Sequence, residues 1–266
     1  MGKWIFMIGF LVMSSAFGQV KCSPDAEDYD LLMAAQDYLN QAKYDDALVC
    51  LNLTSEGFQK LPHVSKAFAA AYAGKCGLNF FDFVNLITYS PPGAPFQVLM
   101  TAMTPVDVFP AYCYKAQTVL EKAYGDSPEI RPQEVNFFLG VLGLAEMGAL
   151  LRAKADSNQD GVVDATFTSA CTNSASNMTD SAVRILGSGL GLFFENLRDI
   201  SATMASSPLV NQLNSLSAVC GPDCNIKDPR SSLWNSRSLN MIRSITESSM
   251  FGIMQCNSPY VYDCCP

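Results

Sequence analysis

DAEDYDLLMAAQDYLNQAKYDDALVCLNLTSE, residues 25–56, is the stretch whose reading decides the fold. From Asp25 to Gln41 the side chains Leu31, Leu32, Ala35, Tyr38 and Leu39 recur on one face at helical spacing. From Tyr44 to Glu56, Ala47, Leu48 and Leu51 do the same, and Pro62 opens a third segment through Phe68, Ala71 and Tyr72. The spacing predicts helix, turn, helix and helix again. Beyond it, helices are predicted over Asn79–Thr88, Val106–Ala123, Gln133–Ala155, Thr179–Met204, Pro208–Val219 and Ser232–Met254. The fold class expected is all-α, with helical hairpins leading into a disulfide-stapled helical C-terminal half.

Two of these segments have particular textures. Val135 to Leu151 is apolar nearly all round, with Glu146 its only charge and Gly140, Gly143 and Gly148 leaving room for close neighbours, as a central buried helix requires. A membrane span is the rival reading, and Asn136 and Glu146 interrupt a run already short for a bilayer. Before it, Ser90-Pro-Pro-Gly-Ala-Pro95 breaks helix, either as a functional loop or as a stiff connector.

The first 18 residues read as a signal peptide. Lys3 supplies a positive start, Trp4 to Val12 the apolar run and Ala16-Phe-Gly18 the small residues before a cut at Gln19. Lys21 immediately before Cys22 argues against lipid attachment there. The rest divides at residue 155 into a helical N-terminal part, 19–155, and a Cys-rich part, 156–266, expected to pack on the first as one unit. With 49% hydrophobic and 16% charged residues the chain is globular. Its net charge of −8, without a basic cluster interleaved with aromatics, excludes a nucleic-acid footprint. Ten cysteines (Cys22, Cys50, Cys76, Cys113, Cys171, Cys220, Cys224, Cys256, Cys264 and Cys265) all lie past the signal, and an even number in an exported chain favours disulfides. Adjacent Cys264 and Cys265 are each expected to find a different, distant partner. Cys220-Gly-Pro-Asp-Cys224 has one residue too many for a thioredoxin-type turn and reads as a local staple.

The loop Asp156-Ser-Asn158-Gln-Asp160-Gly161-Val162-Val-Asp164 spaces oxygen ligands at positions one, three, five and nine, puts glycine at six and the Val162 carbonyl at seven. That is the front half of a calcium loop, and calcium is the one cofactor the sequence suggests. Position twelve is Phe167 where an EF-hand supplies glutamate, so an Asx-rich turn ending a helix is the competing reading. Asp180 and Asp199 are carboxylates that could complete the shell, and Glu146 reads first as a paired core carboxylate and second as a remote ligand.

Catalysis has little to stand on. His63 is the only histidine and follows Pro62 at a turn with no nucleophile motif nearby. Asp45-Asp46 and Asp25/Glu27/Asp28 lie at helix starts, where acids favour the positive end of the helix dipole. Gly187-Ser-Gly189-Leu-Gly191 lacks phosphate-loop spacing and a lysine, and reads as helix-packing glycines.

Ala35, Tyr38, Tyr44, Ala47 and Leu51 sit where tetratricopeptide repeats place small residues, aromatics and a large apolar residue, with Leu31 standing where that family usually has tryptophan. The chain thus resembles a tetratricopeptide-like helical-repeat protein of the bacterial envelope. At the level of fold, over residues 27–155, it is similar to the periplasmic T component of TRAP transporters, from which it departs by lacking a lipobox and by its many cysteines. The resemblance implies a non-enzymatic periplasmic or secreted scaffold whose groove, near Tyr38 and Tyr44, takes another envelope protein, a peptide or a small apolar ligand. The alternative is a disulfide-dependent periplasmic hydrolase or thiol-redox enzyme.

Overall fold

The computed structural model describes residues 22–265 apart from 91–92, 104–106, 169–170, 172–176, 205, 255 and 259. The signal-peptide expectation for residues 1–18, and Pro91-Pro92 of the breaker run, lie outside the described residues. The described residues form twelve α-helices and two single 3-10 turns, with no strand. The all-α expectation is met.

The quoted segment forms α1 (Asp28–Asn40) and α2 (Tyr44–Leu53), followed by one turn, α3 (Glu56–Gln59), and by α4 (Pro62–Cys76). Lys43 N–H returns to the Tyr38 carbonyl at 2.9 Å, with Ala42 left-handed at φ +56°, which turns the chain back within three residues. Asp28 at the start of α1 accepts from both the backbone N–H (2.7 Å) and the hydroxyl (2.6 Å) of Ser55, tying the two ends of the hairpin together. Ala35, Ala47 and Ala71 are fully buried between these helices, beside Leu32, Leu51, Val64 and Phe68. Small residues at the contacts let the axes approach.

The chain continues through α5 (Phe80–Thr88), α6 (Pro95–Ala102), α7 (Ala111–Tyr124), α8 (Gln133–Ala155), α9 (Asp180–Glu195), α10 (Leu197–Met204), α11 (Pro208–Cys220) and α12 (Ser236–Glu247). A single apolar core runs from Ala69 to Val261 and passes through residue 155, so residues on both sides of that point share it. α8 is its axis. By length and composition α8 could cross a membrane, and here it is mostly buried in protein. Its glycines place it: a Cβ on Gly143 would lie 2.5 Å from the Gly189 carbonyl oxygen of α9, and one on Gly148 would lie 2.5 Å from the Leu99 carbonyl oxygen of α6. Only the absence of a side chain lets three helices meet at these distances.

Four boundaries differ from the spacing argument. α6 was hidden behind the breaker run, where Pro95 opens a helix at its first position and Phe96, Leu99 and Met100 bury its face. α7 begins at Ala111, because Pro110 disfavours helix at the residue before it. The segment predicted over Thr179–Met204 breaks at Asn196, whose side chain caps Leu192 and receives Arg131. α12 stops at Glu247, after which the chain folds back on itself: Ile253 N–H reaches the Thr246 carbonyl at 2.9 Å and Cys256 N–H the Glu247 carbonyl at 3.0 Å. Gly252 permits that reversal, since a Cβ there would run into the Thr246 carbonyl oxygen.

All ten cysteines pair: Cys22–Cys50, Cys76–Cys113, Cys171–Cys265, Cys220–Cys224 and Cys256–Cys264, with Cα separations of 5.0–5.8 Å. Neighbours Cys264 and Cys265 take different partners, as expected, but only that of Cys265 is distant, Cys256 lying 8 residues from Cys264; Cys220–Cys224 is a local staple. Five bridges indicate an oxidising, extracytoplasmic environment.

Candidate binding furrow and the acidic loop

The tetrad Tyr-x-x-Lys occurs in α4 as Tyr72-Ala-Gly-Lys75 and in α7 as Tyr112-Cys-Tyr-Lys115, each next to or spanning one cysteine of the Cys76–Cys113 bridge. Residues three apart share a helix face, and the bridge fixes the register of the two helices, so the two tetrads meet. Tyr72 and Tyr112 stack with centroids 6.0 Å apart at 20°. Phe68 extends the row behind Tyr72 at 6.4 Å, and Phe109 closes it edge-on to Tyr112 at 6.3 Å.

Cations lie on these rings. Lys75 and Lys115 sit 4.5 and 4.6 Å from the Tyr112 centroid, Lys115 is also 5.8 Å from Tyr72, and Arg230 lies 5.1 Å from the Tyr114 ring. Lys75 also pairs with Asp45, which holds its ammonium above the usual lysine range. Burial, with Tyr112 next to it, raises the Tyr72 hydroxyl, and burial followed by the hydrogen bond to Asp228 raises that of Tyr114, so both stay protonated donors at neutral pH.

Two hollows open along this row. One of about 650 Å³ lies between the hairpin and α7, bordered by Lys60, Phe68, Tyr72, Val119 and Lys122. Across Tyr72 and Val119 it adjoins a smaller one of about 230 Å³ lined by Tyr114, Lys115, Thr118 and Arg230. Buried Arg131 donates to Glu195 (2.9 Å), Asn136 (2.8 Å) and Asn196 (3.2 Å), while Lys227 bridges Glu195 (2.7 Å) and Glu121 (3.0 Å). Burial works against the Lys227 charge, but Glu195 and Glu121 hold its ammonium above the usual range. This network ties α7, α8 and α9 together, and its members, far apart in sequence, give no local signal.

Of the residues expected to meet a partner, Tyr44 packs over Gly74, where a Cβ would run into its ring, and lines a separate cleft of about 520 Å³ with Lys75 and Phe109. Tyr38 carries Lys43 over its ring at 5.9 Å and lines neither furrow hollow. His63 is exposed, its ring edge-on to Phe58 at 5.8 Å.

The loop 156–164 curls through left-handed Gln159 (φ +64°) and Gly161 (φ +79°). Asp156 is fully buried, accepting from Asp160 N–H (3.0 Å) and Gly161 N–H (3.1 Å), and Asn158 Oδ1 accepts from the same Asp160 N–H at 3.2 Å. Asp160 accepts from Val162 N–H at 2.8 Å, while the Val162 side chain is exposed. Asp164 takes the N–H (2.8 Å) and hydroxyl (2.5 Å) of Ser157, which hold its carboxyl below the usual range. Gln97 and Thr101 of α6 donate to the Gly161 carbonyl, and Phe167, at position twelve, is a buried core residue. The three outlying carboxylates stand elsewhere: Glu146 takes the Ser188 hydroxyl between α8 and α9, Asp180 pairs with Arg243, and Asp199 lies 3.8 Å from Arg198. Among the described residues no three His, Cys, Asp or Glu side chains are grouped to hold a metal.

No protein-family model matches the chain, and neither a curated protein nor a solved structure matches it.

Proposed function

We propose that the chain is a non-enzymatic scaffold, periplasmic or secreted, that docks a peptide segment of a partner protein in the furrow between the α1–α2 hairpin, α4 and α7. The observation that carries this reading is the row of stacked rings beside two adjoining open hollows, with a covalent bridge beneath it fixing the register of its walls. The tetratricopeptide-like spacing of the hairpin supports it, since stacked helix pairs leave a concave face. A photoreactive side chain at Thr118 tests it in native envelope extract. Thr118 should cross-link to one defined peptide that a probe at exposed Val219 does not reach. Identical products from both positions would reject the furrow as the docking site.

Calcium enters the proposal as a stabiliser of the 156–164 loop. Asp156 and Asn158 direct side-chain oxygens at one amide, Asp160 N–H, which gathers these oxygens on one side of the curl. Melting in calcium against chelator is the direct test.

A further inference from the structure

We propose that the smaller hollow, between Tyr72, Tyr114, Lys115 and Arg230, is a carboxylate subsite, and that the docked segment is an acidic peptide. This rests on the docking reading above and adds the chemistry of the occupant. Lys115 and Arg230 are positioned by ring faces instead of carboxylates. A ring's quadrupole holds a cation in place and leaves its formal charge uncancelled. Among the described residues neither has an acidic group within ion-pair distance, nor do exposed Lys60 and Lys122 at the rim of the larger hollow.

Among the described residues no acid lines the smaller hollow, while Glu56 lines the larger one beside Lys60. Glu121 is bound to Lys227, and Asp228 accepts the Tyr114 hydroxyl at 3.0 Å and the backbone N–H of Arg230 at 2.8 Å. Thr118 gives its hydroxyl to the Tyr114 carbonyl. The smaller hollow therefore presents an ammonium, a guanidinium and the Tyr72 hydroxyl, all donors. A carboxylate satisfies such a set through charge-assisted hydrogen bonds. The chain's net negative charge does not prevent this, because at physiological salt charges beyond about 8 Å are screened and the local cations decide the field. Tyr72 is enclosed between Phe68 and Tyr112, and Lys115 and Arg230 lie over the Tyr112 and Tyr114 rings, so cations occupy ring faces on which a sugar would stack.

The test uses the oxidised mature protein and three fluorescent decapeptides with blocked ends, one of Asp and Glu, one of Asn and Gln, one of Lys, with a sulfated oligosaccharide as a fourth probe. Anisotropy should show the acidic peptide binding at least tenfold more tightly than the neutral one and weakening as salt rises. Lys115→Gln and Arg230→Gln should each weaken it about tenfold and leave melting unchanged. Lys154→Gln, the same charge change at the exposed end of α8, should alter it less than twofold. Equal binding of acidic and neutral peptides, with equal loss in the furrow variants, would overturn the carboxylate subsite and keep the docking reading. Preference for the sulfated sugar or the Lys peptide would overturn the subsite. Equal loss in Lys154→Gln would also overturn it, reducing the effect to overall charge. Binding of none of the four would overturn subsite and peptide docking together.

Discussion

Glu146→Gln should stabilise the protein at neutral pH and flatten its stability profile between pH 5 and 8. Glu146 is 1% exposed; one carboxyl oxygen takes the Ser188 hydroxyl at 3.2 Å and the other has no hydrogen-bond partner among the described residues. Burial pushes its pKa up to about 8 from an ordinary value of 4.5, the Ser188 hydrogen bond offsetting only part. The folded state therefore holds a proton that the unfolded chain releases. Below about pH 4.5 both states are protonated and nothing is lost; above it stability falls with rising pH, and the loss levels off past about 8. At about 1.4 kcal/mol per pH unit the cost is below about 1 kcal/mol at pH 5 and about 3 kcal/mol at pH 7. For a chain of this size that is a loss of roughly 5–10 °C in melting temperature over the interval. The amide of the Glu146→Gln variant has no such proton to lose. Any cost of leaving that amide partly unpartnered shifts the whole curve and leaves its slope unchanged. Melting of wild type and variant, disulfides intact, at half-unit steps from pH 4.5 to 8.5 is the assay. Parallel curves would refute the reasoning, because they would mean that Glu146 is not the group carrying the proton.

The remaining expectations concern packing, bridging and the loop. Gly143→Ala should cost about 1–3 kcal/mol in urea unfolding, because its Cβ meets backbone on α9 that cannot give way. Removing Cys76–Cys113 by Cys→Ala at both positions opens a separation of 37 residues and should cost about 2–4 kcal/mol. The same variant should weaken acidic-peptide binding, since α4 and α7 lose their common register. Asp156→Ala strips two loop N–H groups of a buried acceptor and should cost about 1–3 kcal/mol with or without calcium. If calcium raises the wild-type melting temperature, that increment should vanish in Asp160→Ala; an increment retained there would place the ion elsewhere.

Much of the helical framework is legible in the sequence because apolar spacing is a local property. α8 matches its predicted bounds, and α2, α4, α5 and α11 lie within or close to theirs. What is not legible depends on tertiary contacts. α6 is helical because Phe96, Leu99 and Met100 have a core to enter. The break at Asn196 exists because Arg131, 65 residues away, takes its side chain. The furrow is hidden for the same reason. Repeat spacing points to Tyr38 and Tyr44 on the hairpin, whereas the ring row is assembled across α4 and α7. The doubled Tyr-x-x-Lys beside two cysteines is the available signal, and it becomes readable only once Cys76 and Cys113 are known to pair. The acidic loop is legible as a tight Asx/Gly turn, and the burial of Phe167 shows why position twelve is apolar.

The bridge pattern also bears on how the molecule matures as it is exported. Cys22–Cys50 and Cys76–Cys113 each join cysteines consecutive in the chain, so a polypeptide emerging N-terminus first can oxidise them correctly in order of appearance. Cys171 is different: Cys220, Cys224, Cys256 and Cys264 all emerge before its partner Cys265. Correct oxidation of the C-terminal half thus has to wait for Cys265, which makes it the half dependent on disulfide isomerisation. No bridge links residues up to Cys113 with those from Cys171 onward. A protease cut between them would leave two pieces joined only by non-covalent contacts, separable in denaturant without reductant.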